Sequence, residues 1–323
     1  MFLADARIIH DHGRQFATMM SCMSIGASRV KRSARAQRVL VLGATGTTGR
    51  AAVRALVSRG HQVACLVRPR AGARGTLTAD ASAKLLDGAS VRFGSVTDPV
   101  SIADDGFRGE HFDVLVSCLA SRNGSPKDAW TIDYEAHMHA LTAAKAAGVA
   151  HIVLVSAICV QKPVLAFQLA KLAFEEALIG SGITYSIVRP TALFKSLSGQ
   201  VDRLKQGKPY LVFGDGMRTA CKPISDDDLA GFLADCLDDE SCHNRILPIG
   251  GPGEAVTPLQ QGEHLFRLLG RAPRFTHVPL ALLDAIVWTL DTVGQLVPPA
   301  AAKAELARIG RYYATESMLV LNS

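Results

Sequence analysis

The sequence predicts an α/β fold, a doubly wound parallel sheet with a smaller, partly interleaved C-terminal part that holds the substrate. Three observations point there. Short apolar runs alternate with helical stretches from Gln37 to Pro190, a glycine-rich turn joins the first run to the first helical stretch, and the rhythm breaks after Pro190. Short strands separated by helices mean βαβ units and therefore a parallel sheet.

RVLVL (38–42) is the first strand, and the helical stretch behind its turn runs to Arg59. HQVACLVR (61–68) is the second, SVRFGSV (90–96) contains the third and DVLVSCLA (113–120) is the fourth. A long helical stretch spans 128–147, and HIVLVSA (151–157) is the fifth strand. Residues 163–180 read as a helix opened by Pro163 and closed by Gly180, before the sixth strand GITYSIVRP (182–190). Beyond it lie a helix near 196–206, a short strand at 210–213, a helix at 225–238 and a strand RILPIG (245–250). Helices near 258–269 and 279–297 follow.

Charge and cysteine usage exclude several classes. The net charge is +6, but residues 1–38 hold seven basic side chains (Arg7, Arg14, Arg29, Lys31, Arg32, Arg35 and Arg38) against Asp5 and Asp11. The charge belongs to a basic tail, so nucleic-acid binding by the body is not indicated. Seven scattered cysteines without a C-x-x-C pair argue against a disulfide framework and against a metal cluster. The first 36 residues have no sustained apolar core, so they are not a secretory signal. They read as a disordered extension in a phototroph's cytoplasm, with a plastid transit peptide as the alternative.

Gly43-Ala44-Thr45-Gly46-Thr47-Thr48-Gly49 follows the first strand and opens a helix. Glycines there let the backbone turn tightly and approach a pyrophosphate, which then sits on the helix N-terminus. Gly43, Thr45, Gly46, Thr47, Thr48 and Gly49 are the candidate cofactor contacts of a Rossmann domain. At the end of strand two an acidic residue would hold a ribose 2′-hydroxyl, whereas a basic one suits a 2′-phosphate. The chain offers Arg68, whose planar fork fits phosphate oxygens, so NADPH is expected. The expected division is a basic extension over 1–36, an NADP-binding domain over 37–190 and a substrate-binding part over 191–323. Residues 222–250 are expected to return to the first domain's core.

Phe167-Gln168-Leu169-Ala170-Lys171 lies on the helix after strand five, and Ser156 ends that strand. The stretch resembles the Tyr-x-x-x-Lys of extended short-chain dehydrogenases, whose tyrosine passes a proton to or from a substrate oxygen and whose lysine binds the nicotinamide ribose. Here the lysine is kept and the tyrosine is Phe167. Two explanations fit: reduction of a C=C bond, which makes no alkoxide, or a silent site that senses NADP.

Later passages are more specific. VSCLASR (116–122), DAWTIDYEA (128–136), LVSAICVQKPVLAFQLAKLAFE (154–175), RPTALFKSLSGQV (189–201), GKPYLVFGDG (207–216) and IGRYYATESMLVL (309–321) resemble the NADPH-type divinyl (proto)chlorophyllide 8-vinyl reductases. The resemblance implies reduction of the 8-vinyl group of a Mg-tetrapyrrole to ethyl, with the glycine turn, Arg68, Ser156 and Lys171 as NADPH contacts and Lys171 as the catalytic candidate. An isoflavone-reductase-like enzyme on a small phenol is the other catalytic alternative.

Other residues carry less. His137 and His139 lie two apart on a helix and face different ways, so they make no metal pair. Asp226, Asp227 and Asp228 follow Ser225 and suit a helix N-terminus better than a metal. Trp130, Tyr312 and Tyr313 are candidates for stacking on a flat pigment, with a core role the plainer alternative. Cys118 and Cys159 read as small buried hydrophobes. The apolar stretch 278–297 contains Asp284 and Asp291, each costing roughly 2.5–3.5 kcal/mol at mid-bilayer. Asp284 and Asp291 are seven apart and share one helix face, opposite Leu282, Ile286 and Leu290, so the stretch is expected to pack on the body as an amphipathic helix, with peripheral membrane contact left open.

Overall fold

The structure, a computed structural model, describes residues 35–70, 78–122, 125–294 and 298–321; most of the basic extension lies outside them. The strands are β1 (Arg38–Leu42), β2 (Gln62–Val67), β3 (Ser90–Phe93), β4 (Val114–Ser117), β5 (His151–Val155), β6 (Thr184–Pro190), β7 (Tyr210–Phe213), β8 (Arg245–Ile249) and β9 (Phe275–Val278). The longer helices are α1 (Thr47–Ser58), α2 (Ala79–Leu85), α3 (Ala136–Ala146), α4 (Ala166–Ile179), α5 (Asp226–Asp238), α6 (Pro258–Leu268), α7 (Leu280–Gly294) and α8 (Pro298–Thr315).

Seven strands form one parallel sheet in the order β3-β2-β1-β4-β5-β6-β8. The chain runs outward from β1 to β3, then returns to β4 on the other side of β1. That reversal opens a crevice at the carboxyl ends of β1 and β4, where such sheets take ligands. Alternation along β1 explains why both faces are covered. Val39 and Val41 pack with α1 and α5, through Ala52, Leu56, Leu229 and Leu233. Leu40 and Leu42 face the other way, onto Ile102, Leu141, Phe174 and Leu178.

The second half contributes β8 to the edge of the sheet and α5 to the layer beside α1. Ion pairs and hydrogen bonds tie α5 to α1: Arg54 to Asp227, Arg59 to Asp235 and to the Gly231 carbonyl, and Thr48 to Asp226. Asp226 and Asp227 thus pin one helix to another, while Asp228 stays with the Ser225 cap. Ser225 caps α5 by accepting from the Asp228 N–H at 2.9 Å.

Four features depart from the sequence reading. The helix expected over 128–147 begins at Pro126 and contains a π-helical turn at Trp130–Glu135. The stretch near 196–206 is three short turns rather than one helix. Strand β7 pairs with β9, a strand the pattern did not reveal. The fourth concerns α7, whose aspartate face points at a neighbour. Asp284 pairs with Arg311 of α8 and Asp291 with Arg308. Leu282, Ile286 and Trp288 face outward, Trp288 at 71% exposure. Hydropathy alone turned the helix the wrong way because the partner arginines come from a helix it did not identify.

Candidate active site

The turn after β1 is shaped by backbone crowding. Gly43 has φ +75, and a Cβ there would lie 2.5 Å from the Cys118 carbonyl oxygen at the end of β4. A Cβ on Gly49 would lie 2.2 Å from the Gly43 oxygen, so the first turn of α1 can close onto β1 only with glycine. Gly46 is the N-cap of α1, and no side chain caps that end. The first N–H groups of a twelve-residue helix are therefore left for a ligand, and the aligned peptide dipoles favour an anion there. Thr45 and Thr47 are half-exposed in the turn, whereas the Thr48 hydroxyl donates to Asp226 at 2.7 Å.

Arg68 is exposed at the end of β2. Arg122, just past β4, is close enough to feel its charge: burial, and then Arg68, lower the Arg122 guanidinium from its ordinary value. Sequence reasoning missed Arg122.

The second group of side chains gathers where β5, α4 and the π-helical turn meet. Lys171 is buried at 8% exposure, and its Nζ lies 3.0 Å from Oδ1 of Asp133, which is 1% exposed. Asp133 Oδ1 also accepts from the Ser121 N–H at 3.3 Å, while Oδ2 is buried without a hydrogen-bond partner. Ser156 is buried at the end of β5, and its hydroxyl donates to Glu175. Glu175 also accepts from Arg189. Lys171 and Glu175 are four apart on α4 and share a face, so one helix presents a cation and an anion, each with its own partner.

His137 is the neighbour of this pair. Its Nδ1 donates to the Ile132 carbonyl at 2.9 Å, and its Nε2 accepts from the Ser117 hydroxyl at 2.9 Å. Burial, and then the Lys171 charge, push its pKa down to about 4, so the ring is neutral at physiological pH. Asp133, His137, Leu154, Val155, Ser156 and Phe174 pack around Lys171 with no space for a water molecule among them, so a pigment can meet this cluster only from its outer side.

Phe167 sits one turn before Lys171, against Ile158, Cys159, Leu165, Tyr312 and Met318. The Tyr312 hydroxyl donates to the Cys159 and Lys162 carbonyls, which makes this tyrosine a clamp for the C-terminal helix. Trp130 is partly exposed and packs edge-on against Tyr134, and Tyr313 is 46% exposed. Burial raises the Cys159 thiol from its ordinary value, as a small apolar residue requires.

Comparison with known proteins decides the family. An NAD(P)H-binding family model matches residues 43–240, which takes in the glycine turn, Lys171 and α5. The divinyl chlorophyllide a 8-vinyl-reductase of Oryza sativa subsp. indica is 54% identical over 289 residues, covering 88% of this chain and 71% of that protein. The chain belongs to the divinyl chlorophyllide a 8-vinyl-reductase family. The Arabidopsis thaliana enzyme, 52% identical, covers 88% of this chain and 70% of its own length; both plant proteins are chloroplastic. Among solved structures, the leucoanthocyanidin reductase–NADPH complex of Vitis vinifera superposes with a TM-score of 0.64 at 17% identity. The match covers 86% of this chain and 88% of that one and speaks to the fold. A member of this reductase family is an oxidoreductase with a nicotinamide cofactor, so the resemblance read from the sequence holds.

Proposed function

We propose that this chain reduces the 8-vinyl group of a divinyl chlorophyllide to ethyl with NADPH, at the carboxyl ends of β1, β4 and β5. The observation that carries this is Lys171, kept and buried against Asp133, with Phe167 where a phenol would stand. A site built to protonate an oxygen has lost its phenol, whereas addition across a conjugated C=C needs none.

When bound, NADPH supplies the hydride. The uncapped N-terminus of α1 holds its pyrophosphate, through the N–H groups of Thr47, Thr48 and Gly49, which no side chain caps. Arg68, seconded by Arg122, holds the 2′-phosphate. Lys171 orients the nicotinamide ribose, and Ser156, tethered to Glu175, keeps the end of β5 in register beside it. The vinyl group is conjugated with the macrocycle, so negative charge developing on it spreads over the ring, and a strong protein electrophile is unnecessary.

The chloroplastic relatives favour a plastid, and the basic first residues a transit peptide, over the cytoplasm of a phototrophic bacterium. Among the described residues no helix is long and apolar enough to cross a membrane. Peripheral contact through Leu282, Ile286 and Trp288 on α7 suits the greasy substrate.

Incubation with NADPH and divinyl chlorophyllide tests the reading: the Soret band should shift to shorter wavelength as NADPH is consumed. Lys171→Ala should lower turnover by about 100-fold or more. A chain that binds NADPH but leaves the pigment untouched is a sensor and not a reductase.

A further inference from the structure

We propose that Asp133 is the positioning residue of this site, holding the Lys171 ammonium so that Lys171 donates the proton that completes reduction of the vinyl group. The proposal rests on the reductase reading above. Its warrant is an elimination among the side chains packed around Lys171. Leu154, Val155 and Phe174 carry no exchangeable side-chain proton. The His137 ring is neutral, and both its nitrogens are engaged, one donating to Ile132 and one accepting from Ser117. The Ser156 proton is directed at Glu175, and Glu175 is held by Arg189. Lys171 is left with N–H bonds to give, and Asp133 is the carboxylate that fixes it.

The arrangement is costly unless it serves a purpose. Two opposite charges withdrawn from water recover their hydration only in part, and an apolar pair of similar size packs as well or better. Here, moreover, one oxygen of Asp133 is buried with no partner. A π-helical turn at Trp130–Glu135 interrupts the regular helix and carries Asp133 within it. Such turns collect at functional sites because the extra residue re-aims a side chain.

The balance is simple. One vinyl carbon accepts hydride, and the π electrons move to its neighbour and the conjugated ring. A Lys171 N–H bond then breaks as the second C–H bond forms. Lys171 is left as a neutral amine beside the Asp133 carboxylate and regains its proton from solvent. In sum, a hydride and a proton add across C=C, and NADPH leaves as NADP⁺.

Asp133→Asn in the full chain should lower kcat by about 30-fold, while KM for divinyl chlorophyllide and Kd for NADPH each stay within roughly threefold. Asp133→Glu, which keeps the charge on a longer arm, should retain more, losing about tenfold in kcat, and keeps the test open if Asp133→Asn does not fold. Asp133→Asn/Lys171→Gln should be no slower than Lys171→Gln alone, because the two residues act as one unit. In lysine ¹⁵N ammonium spectra, a slowly exchanging signal should vanish in both Lys171→Gln and Asp133→Asn. Wild-type kcat in a folded Asp133 variant, or losses that multiply in the double variant, overturns the proposal. If the wild type consumes no NADPH with the pigment, the reductase reading and the proton step fall together, and the ammonium signal alone decides whether Asp133 holds Lys171.

Discussion

The carboxyl edge of the sheet holds two neighbouring regions built in opposite ways. The turn after β1 is seven consecutive residues, Gly43 to Gly49, and works through backbone: crowding fixes its shape, and an uncapped helix end supplies its field. The cluster around Lys171 draws Asp133, His137, Ser156, Glu175 and Arg189 from a strand pair, two helices and a π-helical turn, and works through side chains. A backbone site fails when anything is added to it. A side-chain site fails when a partner is removed. The two therefore respond differently to substitution, and that difference can be tested.

The largest effect is expected in the turn. Gly49→Ala puts a methyl 2.2 Å from a backbone oxygen that cannot move without dragging β1. The loss should exceed about 3 kcal/mol, and NADPH binding should disappear with it. Gly46→Ala meets only the Gly43 oxygen, at 3.3 Å, and should fold while binding NADPH more weakly. Thermal melting and NADPH fluorescence titration separate the two. Equal behaviour would mean that crowding does not set the turn.

Next comes the ion pair beside the lysine. Glu175→Ala leaves the half-buried Arg189 guanidinium without its carboxylate and frees Ser156. Stranding one member of such a pair costs about 3–5 kcal/mol, read as a lower urea midpoint. Glu175→Gln keeps an acceptor for both neighbours and should cost less. A Glu175→Ala protein as stable as wild type would mean that the pair is ornamental.

How much of this was legible follows the same division. The glycine turn, the strands and Arg68 could be read because each signal is local: a spacing, an alternation, one residue at a strand's end. Lys171 was legible through its distance from Phe167. Asp133 was not read, although a signal was present. Asp133, His137, Ala140 and Ala144 fall on one face of the helix, and all are buried, so an acid stood at an inward position. Glu175 was detectable likewise, four residues after Lys171 on an apolar helix. Their partners, Ser156 and Arg189, lie on other strands, and no periodicity points to them. The orientation of α7 failed for the same reason, since Arg308 and Arg311 had to be known first.

Stability also depends on pH through two buried histidines, His137 in the side-chain region and His151 at the amino end of β5, and the turn contributes nothing to it. His137 and His151 are buried, and their pKa values are pushed down to about 4, by burial first and then by the charges of Lys171 and His243 respectively. A group protonated less readily in the folded chain than in the unfolded one stabilises the fold above the unfolded value, near 6.5. That contribution erodes as the pH falls towards 4. By pH 5 the loss should be on the order of 2 kcal/mol for each ring. Urea midpoints between pH 7 and 5 should fall accordingly, and His151→Gln should flatten the slope. An unchanged slope would place the acid sensitivity elsewhere.

The smallest effect is expected at the rim of the turn, and it sharpens the comparison, because there a side chain serves the backbone site. Arg68→Gln removes a charge from an exposed position, so nothing is stranded and the fold should be untouched. NADPH should bind about tenfold more weakly, near 1.4 kcal/mol, whereas NADH, which lacks the 2′-phosphate, should bind as before. The difference should shrink as salt is raised, since water and ions screen an exposed charge. Arg68→Gln/Arg122→Gln should weaken NADPH further if both cations face the same phosphate. Equal weakening of NADPH and NADH would mean that Arg68 supports the loop and not the phosphate, and the preference for NADPH would then have to come from Arg122 alone.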